Sequence, residues 1–202
     1  MREVVIVEGI RSAVGRRKGS LKDMRPDDLA GEVLKGIVER AGIDPGLIDD
    51  VILGCVTQSG EQAGDIARVA ALIAGFPIEV PGTTIDRQCG SSQQAVHFAS
   101  QAILSGDMDI VIAGGVENMS RTPIGSNYQG APFSEKLRGQ HEIIHQGLSA
   151  ERIAEEYGFS REDLDQFAYS SHQKALKAQE AGYFDREIYE VTVNLPDGTL
   201  FP

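Results

Sequence analysis

Cysteine is scarce: 202 residues hold two, Cys55 and Cys89. Two cannot form the multi-bridge framework that staples small secreted domains. They cannot make a four-ligand zinc site without partners either, and His97, His141, His145 and His172 stand at no metal-ligand spacing. Positive charge is also short, with 19 Lys and Arg against 30 Asp and Glu and a formal net charge of −11. An acidic chain without a basic stripe is a poor partner for nucleic acid. Its one basic run, Arg16-Arg17-Lys18, reads either as a solvated loop or as a contact for an anionic ligand. No apolar run approaches the roughly 20 residues that span a bilayer. The opening MREVVIVEG lacks the basic head, long apolar stretch and small-residue cleavage site of a secretory leader. The expectation is a soluble chain in a reducing, cytoplasmic setting, with no metal, no membrane and no nucleic acid.

What is present is an alternation of strand and helix. Val4-Val5-Ile6-Val7 is a β-branched apolar run, expected as a buried strand. A first helix opens at Pro26 with Asp27 and Asp28 in its positive end. It carries Leu29, Ala30, Val33, Leu34, Ile37, Val38 and Ala41 on one face and closes at Gly42. Val51-Ile52-Leu53 begins a second strand. A helix from Asp65 follows, with Val69, Ala70, Ile73 and Ala74 on one side and Gly75 and Pro77 beyond its end. Thr83-Thr84-Ile85 is a third strand. A helix from about residue 90 to 105 faces inward with Ala95, Phe98, Ala99, Ala102 and Ile103, and Ile110–Ala113 is a fourth strand. Uniformly apolar strands joined by short helical crossovers predict an α/β fold around a parallel sheet covered on both faces.

The character changes after Ser120. Residues 121–145 show no period and read as an irregular stretch. Two helices follow. One runs from about Ser149 to Tyr157. The other is introduced by Ser160 and Asp163 in a capping-box-like pattern, with Leu164, Phe167, Ala168, Ser171, Ala175 and Ala178 on its inner face. Residues 187–193 read as a short strand, and Leu195-Pro196-Asp197-Gly198 as a turn. The division expected is a core over 1–118 and a loop region over 119–202.

In an open α/β sheet, sites form beyond the carboxyl ends of the strands. Cys89 falls there, in Asp86-Arg87-Gln88-Cys89-Gly90-Ser91-Ser92 between the third strand and its helix. A helix N-terminus offers free backbone N–H groups and positive potential. These favour a thiolate and can also stabilise an oxyanion on an attacked carbonyl. Placement alone fits equally a small buried thiol that only packs. Cys55, inside Leu53-Gly54-Cys55-Val56, reads as packing. Ala113-Gly114-Gly115-Val116-Glu117 matches no phosphate-loop pattern and reads as a tight turn after a strand. His145, just before a helix, reads as a surface residue on its own.

Taken in order, several stretches resemble the thiolase family: Arg11-Ser12-Ala13-Val14-Gly15, then Gln88-Cys89-Gly90-Ser91, then Ile112–Ser120, then His145-Gln146-Gly147-Leu148-Ser149-Ala150-Glu151. The resemblance covers essentially the whole chain. It implies a layered, mostly parallel α/β core with a largely helical loop domain over the site. It implies thiolysis of 3-ketoacyl-CoA, or the reverse condensation of acetyl-CoA, through an acyl group carried on Cys89, whose own backbone N–H would be one oxyanion donor. It places His145 near the pantetheine arm of the substrate, and implies coenzyme A as substrate rather than bound cofactor, in a homodimer or homotetramer. Gln146 stands where short-chain biosynthetic relatives have Met, so the His-Gln-Gly-Leu-Ser wording resembles broad 3-ketoacyl-CoA thiolases. Arg16, Arg17, Lys18, Lys136 and Arg138 are the cations on offer for its phosphates. Thiolases are about twice this length, and their second half brings G-H-P, N-E-A-F and C-x-G motifs absent here. The expectation is therefore a fragment, inactive alone. The competing expectations are a non-catalytic complementing fragment and a related ketosynthase-type condensing enzyme.

Overall fold

The computed structural model describes residues 2–194 and 200–201. The chain divides into two units, one running to Gln129 and resuming at Glu187, the other Gly130–Arg186. Among the described residues, no helix is long and apolar enough to cross a membrane.

The larger unit is built on a parallel three-stranded sheet. Its elements are α1 (Pro26–Ala41), β1 (Asp50–Gly54), α2 (Ile66–Ile73), β2 (Gly82–Ile85), α3 (Ser91–Ser105) and β3 (Val111–Gly115). The strand order is β2-β1-β3, with Val51 opposite Gly82 on one side and Ile112 on the other. β1 is buried along its whole length, and its two faces feed two cores. Val51 and Leu53 point to α1 and α2, where they meet Leu34, Val38, Ala67 and Ala70. Ile52 points the other way, onto Ala95 and Ala99 of α3. Each fully buried aliphatic side chain contributes about 1.5–3 kcal/mol, so this five-residue strand ties three helices together.

α1 begins and ends where its caps predicted, with Gly42 left-handed at φ 66°. In the larger unit, three apolar segments differ from expectation. α2 buries Ile66, Ala67, Ala70 and Ala71, while Ile73 is exposed. The sheet lies close enough to select the small alanine stripe rather than the larger residues beside it. On α3, Ala95 and Ala99 face the sheet but Phe98 turns outward. The third correction is Val4–Val7, which forms no strand and leaves Val5, Ile6 and Val7 exposed. A strand is made by its ladder partner, and none of the described strands pairs with this segment.

The chain's return also differs. Residues 187–192 form only a bridge, Arg11 N–H to Glu187 O and Tyr189 N–H to Arg11 O, both 2.8 Å. Val191 and Val193 then pack with Met24 and Leu29. Two short strands follow as an antiparallel pair, β4 (Val193–Asn194) and β5 (Leu200–Phe201); the turn expected at 195–198 lies outside the described residues.

The smaller unit holds three helices: α4 (Glu135–Gln140), α5 (Gln146–Tyr157) and α6 (Arg161–Glu180). α4 falls in the stretch read as irregular, and Ser134 caps it by accepting from Leu137 N–H at 3.2 Å. Ser160 and Asp163 complete the expected capping box. The predicted inner face of α6 is not buried: Phe167 is 80% exposed, and no residue of α4, α5 or α6 is buried.

Candidate active site

Cys89 lies on a tight turn between β2 and α3 and is exposed. The turn is held by its own neighbours. Asp86 Oδ1 accepts from Gln88 N–H at 2.7 Å. The buried Ser91 hydroxyl donates to Gln88 O at 2.6 Å and accepts from Arg87 N–H at 2.9 Å. Gln88 itself sits at φ 48°, a left-handed conformation that costs a non-glycine residue about 1 kcal/mol or more. The strain is stored next to the thiol-bearing residue, at the entrance to a helix of 15 residues.

Cys55 follows β1 on the neighbouring strand end, and its environment is the opposite. It is 1% exposed. Burial, with the charges of Glu117 and Asp86 adding to it, pushes its thiol up to about 12. Such a thiol stays protonated and inert at neutral pH.

Beneath Cys55 lies a polar cluster that the sequence did not announce. Gln62 is fully buried, and donates to Thr57 O at 2.8 Å and Glu117 Oε1 at 2.6 Å. It accepts from the backbone N–H of Asn118 at 2.8 Å. Glu117 Oε2 accepts from Val56 N–H at 3.0 Å, and Asn118 Nδ2 donates to Leu21 O and Met24 O. The ends of β1 and β3 are thereby bound to the start of α1. Glu61 adds an ionic clamp: it takes Arg121 at 2.5 Å and Arg25 at 3.1 Å. The Arg121 hydrogen bond, outweighing some desolvation, lowers the Glu61 carboxyl below the usual range. A glutamine in a polar run carries no pattern that separates it from a loop residue. Only the Glu117-Asn118 pair, in a stretch already singled out, pointed here.

An open groove of about 780 Å³ runs between residues 10–17, α1 and β3. Arg16 and Arg17 border it; neither cysteine does. A smaller recess of about 360 Å³ is bordered by Lys18, Lys22, Glu61 and Arg121. Lys136 and Arg138 lie on α4 in the other unit.

His145, in the smaller unit, is the N-cap of α5. Its Nδ1 accepts from Gly147 N–H at 3.1 Å. That bond places the ring proton on Nε2 and fixes the ring against the first turn.

The thiolase N-terminal domain model matches residues 4–201. The steroid 3-ketoacyl-CoA thiolase FadA6 of Mycobacterium tuberculosis is 44% identical over 98% of the chain and 51% of its own length. The beta-ketoadipyl-CoA thiolase of Acinetobacter baylyi is 39% identical over 96% of the chain and 52% of its own length. Among solved structures, the acetyl-CoA acetyltransferase of Bacillus anthracis superposes with a TM-score of 0.84 at 39% identity, covering 98% of this chain and 53% of that one. The chain thus spans about half the length of the curated relatives it matches.

Proposed function

Because the chain belongs to the thiolase family, as its N-terminal domain, we propose that it is the nucleophile-bearing half of an acyltransferase acting on CoA thioesters. The observation that carries this reading is the contrast between two thiols at adjacent strand ends: Cys89 exposed at the foot of α3, Cys55 buried and protonated. In thiolysis, the Cys89 thiolate attacks the 3-keto carbonyl of a 3-ketoacyl-CoA. The bond between C2 and C3 breaks, and the departing carbanion takes a proton to become acetyl-CoA. The acyl group stays on sulfur until the thiolate of free CoA removes it. The Cys89 N–H is assigned one oxyanion contact, and His145, with its Nε2–H directed away from the α5 cap, the pantetheine arm. Within residues 119–202, expected as most of a loop domain, the substrate-covering role is assigned to the helical unit Gly130–Arg186. The assembly is a homodimer or homotetramer in the cytoplasm.

The proton donor and the base that relays protons to and from Cys89 are assigned to the remaining half, so this chain alone is inactive. Measurable thiolysis of acetoacetyl-CoA by the isolated chain would overturn that. The deciding experiment adds a C-terminal thiolase half in trans. Turnover that appears on mixing and vanishes with Cys89→Ser supports the reading. Binding without turnover supports a second one, a non-catalytic complementing fragment, which the exposed Val5, Ile6 and Val7 favour.

A further inference from the structure

The foot of α3 rests on bare backbone. Gly54 ends β1, Gly115 ends β3, and the two are register partners. A Cβ on Gly54 would meet the Ser92 nitrogen, the Ser91 carbonyl carbon at 2.5 Å and the Ser91 Cβ at 2.7 Å. A Cβ on Gly115 would meet the Ser92 hydroxyl, the Gly54 carbonyl oxygen at 2.7 Å and the Ser92 Cβ at 3.1 Å. Ordinary carbon contacts are about 3.5–4.0 Å. The adjacent Gly114 is different: a Cβ there would find only Leu53 Cδ2, at 3.6 Å. Of the three glycines at the ends of β1 and β3, therefore, only the two under Ser91 and Ser92 are closely packed.

Both serines belong to the first turn of α3, and Ser91 is the residue whose hydroxyl laces the Cys89 turn. The height of that turn above the sheet sets where Cys89 stands. We infer that Gly54 and Gly115 are positioning residues for Cys89, a side-chain-free seat that holds the first turn of α3, and the thiol ahead of it, at the depth needed for acyl transfer. The inference rests on the assignment of Cys89 as nucleophile. Neither glycine touches the reacting atoms; both act through Ser91 and Ser92.

The test uses the intact chain and its two thiols. Iodoacetamide labelling at one neutral pH, mapped by peptide mass spectrometry, reads Cys89 as the probe. Buried Cys55 serves as the internal control, since it labels only when the larger unit opens. Gly115→Ala should leave Cys55 protected and slow Cys89 by about fivefold, the rate equivalent of losing one helix-end interaction. Gly114→Ala should leave both rates within about twofold of wild type, inside the scatter of neutral surface changes. Adding Ser92→Gly to Gly115→Ala removes two of the three obstructing atoms, and should bring the Cys89 rate at least halfway back on a logarithmic scale.

Three results would overturn the seat. One is a protected Gly115→Ala chain whose Cys89 labels at the wild-type rate. Another is a Gly114→Ala chain that slows Cys89 as much. If Gly115→Ala exposes Cys55, the double variant decides: failure to restore Cys55 protection also rejects the proposal. Failure of the functional assignment looks different, because there the labelling pattern holds while complementation gives no Cys89-dependent turnover.

Discussion

Replacing Gln62 with leucine isolates the cost of the buried polar cluster. The side chains are close in size, so little cavity forms, and the change removes hydrogen bonds alone. Thr57 O survives, because Ser59 N–H also donates to it at 2.8 Å. The backbone N–H of Asn118, in a residue 8% exposed, loses Gln62 Oε1. A buried donor left unsatisfied costs about 1–3 kcal/mol. Glu117 Oε1 loses a 2.6 Å bond, and a bond to a charged group is worth about 1.5–3 kcal/mol. The apolar gain of leucine returns about 1 kcal/mol. The expected loss is about 1.5–5 kcal/mol, a large share of the 5–15 kcal/mol typical of a domain. Urea unfolding, followed by Cys55 labelling so that only the larger unit is read, should show a midpoint about 1–2 M lower at unchanged slope. A loss below about 0.5 kcal/mol would mean that water replaces the amide, and that the cluster does not bind the ends of β1 and β3 together.

Asp50 is 8% exposed and its Oδ1 has no partner among the described residues, so burial raises its carboxyl above the unfolded value of about 3.9. The fold is then favoured below about pH 4 and loses that advantage as pH rises through the folded value. Asp50→Asn should unfold at higher urea than wild type at pH 7, with the difference vanishing near pH 3; a constant difference refutes it. Gln88→Gly relieves the positive φ and should stabilise the larger unit by up to about 1 kcal/mol, measured by urea titration. A destabilised variant would show that the Gln88 side chain has a role beyond its backbone. His145→Ala should lose about 1 kcal/mol of α5 cap, seen as reduced helicity by circular dichroism, while His145→Asn keeps the cap. If His145 also meets the pantetheine arm, His145→Asn weakens CoA binding in the complemented enzyme without loss of helicity. Equal binding would confine His145 to capping.

The sequence was most legible where local chemistry decides the outcome. Pro26 and Gly42 bracketed α1, and the Ser160–Asp163 box opened α6, because caps act over three or four residues. β1 declared itself as an apolar run buried along its whole length, and β2 and β3, although only partly buried, were read from β-branched residues before a helix or a glycine turn. Legibility failed where a distant partner decides. Val4–Val7 has as apolar a pattern as β1 but pairs with none of the described strands. The rotations of α2 and α3 were set by how closely the sheet approaches, which periodicity does not encode. In the candidate site, Cys89 could be placed from the strand–turn–helix order alone. The lacing by Ser91, the strain at Gln88 and the Gln62 cluster depend on contacts between elements, and single residues in polar runs do not advertise them.

β1 has apolar side chains on both faces, and this removes a common safeguard. In a strand with one wet face, a slip of one residue throws its hydrophobic set into water, and the alignment corrects itself. Sliding β1 by one residue would merely exchange Val51 and Leu53 for Ile52, one aliphatic for another. What such a slip cannot exchange is Gly54. Moved by one, it would put Leu53 or Cys55 against the backbone of Ser91 and Ser92, where no side chain fits. A missing side chain therefore acts as the alignment mark of the central strand, and misthreading is rejected at one position rather than along the whole sheet.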